Sequence, residues 1–373
     1  MKPTPAAIIR FIRRCSDGNR SLAKRDRIGF VKQLCEVYRL QRENGLEPHE
    51  YYRYELCRRE LSWEQKRRYL SKNHAFLIHR TINPKFEYGL LQKMVAQRFF
   101  TAMGVRMPVL YGFYDRFSGH DVQGAPLQTR EQFVRLIETG TFTDFVLKAV
   151  GANRGEGVRV CRKLEGGKIF SSVDGEISLF QLFDKIAVTK YDENAGAVAD
   201  SWLIQERVRQ HPFLDRYTTD ATQTARIVTY ITRSGQIEVL MRLLKIARAG
   251  KYIDNVGTTG FAAPINENGV LGEAAQITKT GIVHYAAHPE TGAAIAGEQL
   301  PHFREIMAMA LTCQSLAPQL RSLGWDIAIT QDGPVLLEGN IYWSQVLQFA
   351  TGAGVMSQEL SDELRQILQS EPQ

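Results

Sequence analysis

The sequence predicts an α+β fold preceded by a mainly helical N-terminal region. Apolar residues within residues 1–80 recur at helical spacing, whereas from residue 145 onward short runs rich in Val, Ile and Leu alternate with glycine-containing turns. The chain has 373 residues, which favours two or three subdomains because single cores stop growing near about 250–300 residues. We therefore expect a helical segment followed by an α+β body of more than one part.

Residues 1–80 are expected to form several helices. The segment RIGFVKQLCEVYRL places its apolar residues at helical spacing, and Ser62 followed by Gln65 matches a capping box. The opening stretch AAIIRFIRRC is basic and amphipathic. Two interpretations of it stay open, a surface helix of the fold or a weak peripheral contact with an anionic membrane.

Between residues 81 and 208 helices are expected to alternate with short strands. One helix should end near Gly104, because glycine suits the left-handed position after a helix. Another short helix is expected over residues 130–138. The predicted strands are FVLKAV at 145–150, VRVCRK after the following glycine-rich turn, and SWLIQERV at 201–208.

The remaining chain is expected to contain two hairpins and two helices. A first hairpin turns at Ser234–Gly235, and a second, WDIAITQDGPVLLEGN, turns at Asp332–Gly333. Residues 254–272 are glycine-rich and expected to be loop-like. The helices are expected over residues 302–320 and 357–370.

The second hairpin suggests a metal site. Its register places Asp326 roughly opposite Glu338, with Asn340 two residues further along. Two carboxylates and an amide oxygen suit magnesium, which takes one or two carboxylates together with substrate phosphates. Apolar flanks on both strands bury the hairpin and leave these oxygens in need of a partner. A pair of surface acids at an exposed hairpin end is the alternative.

A lysine followed by a glycine-rich turn suggests phosphate binding. Lys148 lies in a strand, and Gly151, Gly155 and Gly157 let the following backbone approach an anion closely. The stretch has neither the G-x-x-x-x-G-K-[ST] pattern of P-loop NTPases nor a G-x-G-x-x-G opening a helix. An ordinary hairpin turn is the alternative.

Two further features have both a binding and a structural interpretation. The strand that ends in Gln205, Glu206, Arg207 and Val208 either offers main-chain atoms to a purine or is a simple sheet edge. Arg226 and Arg242 lie inside predicted strands, where charges are rarely buried unless paired. These arginines either face a cleft and bind phosphate or carboxylate, or they form structural salt bridges.

Composition limits the partners. The net charge of +7, from 47 basic and 40 acidic residues, favours anionic partners such as nucleotides, phosphorylated substrates or membrane surfaces, but does not predict nucleic acid. Five scattered cysteines without a C-x-x-C pair argue against disulfides or zinc and for a cytoplasmic location. No stretch approaches the roughly 20 apolar residues of a spanning helix, and the first residues lack a secretory signal.

Taken in order, these segments resemble an ATP-grasp enzyme, most closely the sugar-transfer associated ATP-grasp branch. The segments TARIVTY, DNVGTTG, HPETG, GWDIAIT and GPVLLEGN match its recurring blocks, and the resemblance covers about residues 80–350. It implies an ATP-grasp fold, in which two α+β subdomains clasp ATP over two magnesium ions. The expected divisions are a helical region (1–80) and an ATP-grasp domain (81–373) with a lid-like subdomain (about 140–208), a metal-binding subdomain (209–350) and a C-terminal helix (351–373).

The resemblance also assigns site residues. Those expected at the nucleotide are Lys93 with Lys85 as its rival, Lys148, the loop from Gly151 to Gly157, and the hinge of Gln205, Glu206, Arg207 and Val208. Those expected at magnesium are Asp326, Glu338 and Asn340, and those expected at the γ-phosphate or acyl phosphate are Arg226 and Arg242. One departure is Trp343, which stands where many ligases of this fold carry an arginine.

The resemblance implies an ATP-dependent carboxylate–amine ligase that forms an acyl phosphate from small-molecule acid and amine substrates. It also suggests a place in polysaccharide or related cell-surface or secondary-metabolite biosynthesis. Two alternatives stay open, a kinase acting on a sugar or another small molecule, and a nucleotide-binding regulatory protein. The reaction product separates them, because only the ligase needs both an acid and an amine to release ADP.

Overall fold

Two seven-stranded antiparallel sheets form the body of the computed structural model, and helices cover them. The α+β class and the helical N-terminal region are confirmed. The structure describes residues 5–19, 26–83, 89–150, 157–187, 190–192, 196–198, 201–252, 256, 260–278 and 281–370.

Short helices occupy the described part of the first 83 residues. Ser62 caps one of them, and its capping box with Gln65 is present as predicted. A buried Lys66–Glu36 ion pair of 2.8 Å, to which the Tyr51 hydroxyl also donates, ties three of these helices together. The elements are α1 (Pro5–Gly18), α2 (Phe30–Asn44), α3 (Pro48–Arg53), α4 (Trp63–Arg67), α5 (Lys72–Leu77) and a π-helical turn (Ile78–Ile82).

The first sheet follows this helical region. Its strands are β1 (Leu110–Tyr114), β2 (His120–Asp121), β3 (Asp144–Ala149), β4 (Val158–Lys163), β5 (Lys168–Ser171), β6 (Gly175–Ser178) and β9 (Trp202–Glu206), in the order β2-β1-β9-β3-β4-β5-β6. The accompanying elements are the helices α6 (Lys93–Ala102), α7 (Arg130–Thr139) and α8 (Leu179–Ile186), and the hairpin of β7 (Lys190–Asp192) and β8 (Gly196–Val198).

Two predicted boundaries in this part can be compared with the structure. The helix before Gly104 ends at Ala102, and Gly104 has a φ of 80°, as its position after a helix predicted. The strand predicted over 201–208 is too long, because its last paired residue is Glu206. The chain then turns towards the second sheet, where the hydroxyl of Thr222 donates to the carbonyl of Val208.

The second sheet contains both predicted hairpins, but the second one turns at Gln331–Asp332 and not at Asp332–Gly333, because Gly333 already pairs with Thr330. Its strands are β10 (Thr224–Ile231), β11 (Ile237–Ile246), β12 (Phe261–Pro264), β13 (Ala274–Thr278), β14 (Gly281–Tyr285), β15 (Ser322–Thr330) and β16 (Gly333–Asn340), in the order β14-β13-β12-β11-β10-β15-β16. Strand β12 corrects the loop expected over 254–272, because its buried residues pair with β11. The remaining elements are the helices α9 (Pro212–Asp215), α10 (Phe303–Leu316) and α11 (Gln358–Ser370) and a 3₁₀ segment (Gln345–Thr351).

The two faces of the second sheet pack against different layers. Ile227, Leu244 and Trp325 belong to a core that includes the buried side of α10. Val228 and Leu243, on the opposite face, belong to a core shared with the N-terminal helices and the chain after β16. Since side chains alternate along a strand, polar residues in phase with Val228 and Leu243 lie on the face that the helical region partly covers.

Two amide side chains fasten the helical region to the rest of the molecule. Asn83 donates to the carbonyl of Ser322 at 2.7 Å and accepts from its amide at 3.0 Å. Gln348 does the same to Leu70, donating at 2.7 Å and accepting at 2.8 Å. Each side chain thereby pairs both main-chain groups of a residue more than 200 positions away in the sequence.

His79 lies where the π-helical turn meets the chain after β16. Its ring centroid is 5.0 Å from that of Tyr342 and 5.8 Å from that of Trp343, both in edge-to-face contact. Burial in this aromatic contact lowers the pKa of His79 to about 4. The imidazole is therefore neutral in the folded protein at neutral pH.

We expect the free energy of unfolding to fall as the pH falls from about 6.5 to 4. Unfolded His79 binds a proton near pH 6.5 and folded His79 only near pH 4, so unfolding takes up a proton within this window. Replacing His79 with Gln should remove up to about 3 kcal/mol of that loss. Urea unfolding at pH 7 and pH 4.5 measures this fall in the free energy of unfolding, with replacement of the exposed His284 by Gln as the control. An equal fall in the wild type, His79→Gln and His284→Gln would contradict the prediction.

None of the described helices is long and apolar enough to cross a membrane. All five cysteines are free thiols, and four of them are buried.

Candidate active site

Strand register gathers charged side chains on one face of the second sheet. Arg226 on β10 pairs with Asp326 on β15, and Asp326 pairs with Glu338 on β16, which confirms the predicted opposition of the two acids. Lys245 on β11 lies opposite Thr224, two residues before Arg226 and therefore on the same face. Asn340 follows Glu338 by two residues and shares this face as well.

Asp326 is the centre of this group. The Arg226 guanidinium binds it in fork geometry, with Nε 2.6 Å from Oδ1 and Nη2 2.7 Å from Oδ2. Lys245 Nζ lies 3.3 Å from Oδ2. Burial opposes ionisation of Asp326, but the positive charges of Arg226 and Lys245 and the hydrogen bonds outweigh it, so the pKa of Asp326 lies well below its usual range.

Glu338 and Asn340 complete a cluster of oxygen-bearing side chains. Asn340 Nδ2 lies 3.3 Å from Oε1 of Glu338 and 3.4 Å from Oδ2 of Asp326. Both Glu338 and Asn340 are half-buried, whereas Asp326 is buried. A 180° rotation of the Asn340 amide would present its oxygen to the same point. Two carboxylates and an amide therefore lie close together, as the sequence of the hairpin predicted.

Two lysines approach this cluster from outside the second sheet. Lys93 is the first residue of α6, and Lys148 lies near the end of β3 in the first sheet. Burial lowers the pKa of both lysines, and the charge of Glu338 opposes the lowering in each. Lys148 also interacts with Lys93, which lowers its pKa further, and with Asp326, which raises it. The first sheet, α6 and the second sheet thus contribute charges to a common site.

Part of the predicted phosphate loop lies outside the described residues. This applies to Gly151 and Gly155, and also to Lys85, the rival of Lys93. Gly157 is described and has a φ of 74°, a backbone conformation that favours glycine. Its carbonyl accepts a hydrogen bond of 3.0 Å from the amide of Ala149, which closes the turn next to Lys148.

The predicted hinge residues have several partners of their own. Gln205 is buried and its side chain donates to Gln97 at 2.7 Å. The main-chain amide of Glu206 donates to the carbonyl of Val109 at 2.8 Å, and the amide of Val109 donates to Oε2 of Glu206 at 3.1 Å. Arg207 and Val208 line a polar cavity of about 140 Å³ together with Arg209, Gln210, Asp215, Thr219, Ala221 and Thr222.

The two predicted arginines do not come together. Arg226 is buried, and besides holding Asp326 it donates through Nη1 to the carbonyl of Trp343 at 3.1 Å. Arg242 pairs with Ile227, on the opposite face of the sheet, where it donates to the carbonyl of Ile265 at 3.3 Å. The expectation that both face one cleft is therefore not met, because they differ in phase along the two strands.

Lys245 is a site residue that the sequence analysis missed. It lies in the apolar run LLKIA, so the argument that a charge inside a strand needs a partner applied to it as much as to the arginines. It was passed over because its partner, Asp326, lies on a strand 81 residues away.

Among the described residues, no group of three or more His, Cys, Asp or Glu side chains is placed to hold a metal ion.

The family described as sugar-transfer associated ATP-grasp matches residues 72–363. The chain belongs to this family. The match includes Lys93, Lys148, Lys245 and the whole carboxylate cluster, and it excludes most of the N-terminal helical region. No curated protein sequence matches the chain.

Three of the solved structures similar to this sugar-transfer associated ATP-grasp protein are ligases with 12–13% sequence identity to it. D-alanine–D-alanine ligase from Bacillus anthracis is 12% identical over 76% of this chain and 69% of its own, with a TM-score of 0.39. VanG D-Ala:D-Ser ligase from Enterococcus faecalis is 12% identical over 76% and 64%, with a TM-score of 0.41. Phosphoribosylamine–glycine ligase from Thermotoga maritima is 13% identical over 77% and 62%, with a TM-score of 0.40. The chain spans less than two thirds of the latter two.

Proposed function

We propose that this protein is an ATP-dependent carboxylate–amine ligase. One observation supports it above all: the charge of Glu338 on the second sheet acts on the pKa of both Lys93 on α6 and Lys148 in the first sheet, and the charge of Asp326 acts on the pKa of Lys148. Such an arrangement suits a polyanion whose phosphates contact the lysines directly and the carboxylates through divalent ions. Membership in an ATP-grasp family supports ATP as that polyanion.

The triphosphate would lie between the lysines and the carboxylate cluster. Lys93 and Lys148 supply fixed positive charge for phosphate oxygens. The predicted hinge from Gln205 to Val208 would hold the adenine. Since the main-chain amide of Glu206 and the carbonyl of Val208 already have partners, the base would use the neighbouring main-chain groups.

The carboxylate cluster fits magnesium. Glu338, Asn340 and Asp326 bring hard oxygen and amide groups together within 3.4 Å, and the remaining ligands of such a site are typically phosphate oxygens. Because Arg226 and Lys245 already neutralise Asp326, Glu338 carries the charge that is still available to an ion. Magnesium, when bound, would neutralise phosphate charge and orient the phosphates.

The proposed reaction has two steps. An oxygen of the acid substrate attacks the γ-phosphorus of ATP, the bond to the β-phosphate oxygen breaks, and ADP leaves with the electron pair. The amine nitrogen then attacks the acyl carbon, the bond to the phosphate oxygen breaks, and phosphate leaves as the nitrogen loses a proton to solvent. The chain's own part is to hold the reactants in line and to balance charge, so the reaction requires no nucleophilic side chain.

The test is ADP release by the full chain with panels of acids and amines. Amino acids and sugar acids are the first candidates, because the family is described by its association with sugar transfer. ADP and phosphate released only when an acid and an amine are both present would support the ligase. ADP with a phosphorylated sugar would show a kinase instead, and ATP binding without turnover across the panels would favour a regulatory role.

Replacing Lys148 with Met should weaken ATP binding by roughly 10- to 100-fold, because hydrogen bonds to charged groups contribute about 1.5–3 kcal/mol. Calorimetric titration with ATP and magnesium measures the change without any substrate. Lys168→Met is the matched control, since Lys168 lies in the same sheet but is exposed and paired with Glu176. Equal affinities in the two variants would contradict the assignment of Lys148.

A further inference from the structure

The positive charge of the chain is concentrated at one end. Residues 1–32 contain nine of the 47 basic residues and two of the 40 acidic ones, so this stretch alone has a net charge of +7. The other 341 residues contain 38 charges of each sign and are neutral overall. The basic character of the protein is therefore a property of one segment and not of the nucleotide site.

Helix α1, within this segment, leaves apolar side chains in solvent. Cys15 is buried, and Phe11 packs against the core that the helical region shares with the second sheet. Ile8, Ile9 and Ile12 remain 45%, 65% and 41% exposed. Three exposed isoleucines on one helix contrast with the usual isolated apolar residue on a soluble surface.

The exposed arginines of α1 border these isoleucines. At 100° per residue, Ile8 and Ile12 lie on the edge of the buried face, Ile9 lies further round, and Arg13 follows one turn after Ile9. Arg10 and Arg14 complete the outer face, and all three arginines are exposed. The helix is thus anchored to the fold along one side, apolar along a second and cationic along a third.

We infer that α1 docks the protein onto an anionic lipid bilayer. The charge of residues 1–32 complements a negatively charged membrane surface, which attracts nearby Lys and Arg over about a Debye length. The isoleucines would enter the boundary between headgroups and acyl chains while the arginines reach the phosphates, as in other interfacial helices. Anchoring of α1 through Cys15 and Phe11 means that the whole protein would be held at that surface.

Charge selects the bilayer over the other partners that an apolar patch can have. A second copy of the same segment would bring two net charges of +7 together, which is unfavourable at an interface between identical surfaces. A nucleic acid would meet the arginines but would leave the isoleucines in water. An anionic bilayer satisfies both components of the surface at once.

The test is co-sedimentation of the full chain with vesicles. We expect binding to phosphatidylcholine vesicles that contain phosphatidylglycerol, and little binding to phosphatidylcholine alone. Replacing Arg10, Arg13 and Arg14 with Gln should weaken binding by roughly fivefold per residue, on the order of 100-fold together. Ile9→Ser should weaken it by about tenfold through lost apolar burial, and about 1 M salt should weaken the wild type.

Two matched controls separate this surface from general charge and hydrophobicity. The triple variant Arg116→Gln, Arg135→Gln, Arg304→Gln removes three positive charges outside α1. Phe117→Ser removes an apolar side chain that is 82% exposed between β1 and β2. Both should bind vesicles like the wild type. Circular dichroism and thermal unfolding should show all variants folded, since every replaced side chain is exposed.

Three results would overturn the inference. They are equal binding to both kinds of vesicle, equal loss in the α1 variants and their controls, and no vesicle binding at all. Light scattering tests whether a second copy of the protein occupies the exposed face of α1. An oligomer that Ile9→Ser converts to a monomer would assign this face to self-association. Retention on duplex DNA that falls in the triple α1 variant, without vesicle binding, would assign it to nucleic acid. Calorimetric ATP binding is independent of every one of these outcomes.

Discussion

Replacing Glu338 with Gln should reduce ATP turnover by about 100-fold or more, because charge stabilisation by a held metal ion contributes several kcal/mol. The substitution keeps the size and hydrogen-bonding capacity of the side chain and removes one negative charge. The charge of Glu338 raises the pKa of Lys93 and Lys148 against the effect of burial, and its Oε1 lies 3.3 Å from Asn340, so the variant should also lose most of the magnesium dependence of ATP binding. Calorimetric titration with and without magnesium provides a readout that needs no acid or amine substrate.

Glu267→Gln is the control for this experiment. Glu267 is 88% exposed, and its carboxylate lies 3.8 Å from the Arg242 guanidinium, so its replacement should leave both measurements unchanged. If Glu338→Gln kept turnover within threefold of the wild type, or kept the full effect of magnesium on ATP affinity, the metal assignment would be wrong.

Replacing Arg226 with Met should lower the free energy of unfolding by about 3 kcal/mol or more, because it leaves a buried carboxylate without its main partner. Arg226 and Asp326 are 7% and 3% exposed, and Lys245 at 3.3 Å would compensate only part of the charge. The loss should shrink in the double variant Arg226→Met, Asp326→Asn, since the second change removes the unpaired charge. Chemical denaturation of the two single variants and the double variant measures this coupling.

Arg242→Met is the matched control for Arg226→Met. Arg242 lies on the neighbouring strand, on the other face of the sheet and one quarter exposed, so we expect a change of less than about 1 kcal/mol. The same variants distinguish two roles for Arg226. A folded, fully stable Arg226→Met protein that had lost ATP turnover would favour the contact with transferred phosphate that the sequence suggested, and would contradict a role in holding Asp326.

The sequence was most informative where one short segment determines the geometry. The two-residue turn between Thr330 and Gly333 sets the register of the last hairpin as far as Ile327, so spacing predicts that Asp326 and Glu338 lie roughly opposite each other. A β-bulge between Asp326 and Ile327, which spacing does not predict, completes their direct pairing. Helix boundaries near Gly104 and Ser62 followed in the same way from local capping chemistry. In each case the interacting residues lie at most twelve positions apart in the sequence.

The sequence was least informative about contacts between distant segments. The Arg226–Asp326 pair joins strands 100 residues apart, and its existence depends on β10 lying between β11 and β15. The pattern of each strand separately gives no sign of that order. For the same reason Lys245 was missed, and the position of the N-terminal helices on the carboxylate side of the second sheet was not predicted.

Asn83 and Gln348 make the helical region inseparable from the sheet it covers. Each substitutes for a neighbouring strand by satisfying both main-chain groups of its distant residue. A truncated protein starting after residue 80 would lose the Leu70 main-chain partners of Gln348 and expose the apolar surface around Trp343 to water. The N-terminal helices therefore share one hydrophobic core with the second sheet and do not form a separate unit that could be removed without exposing that core.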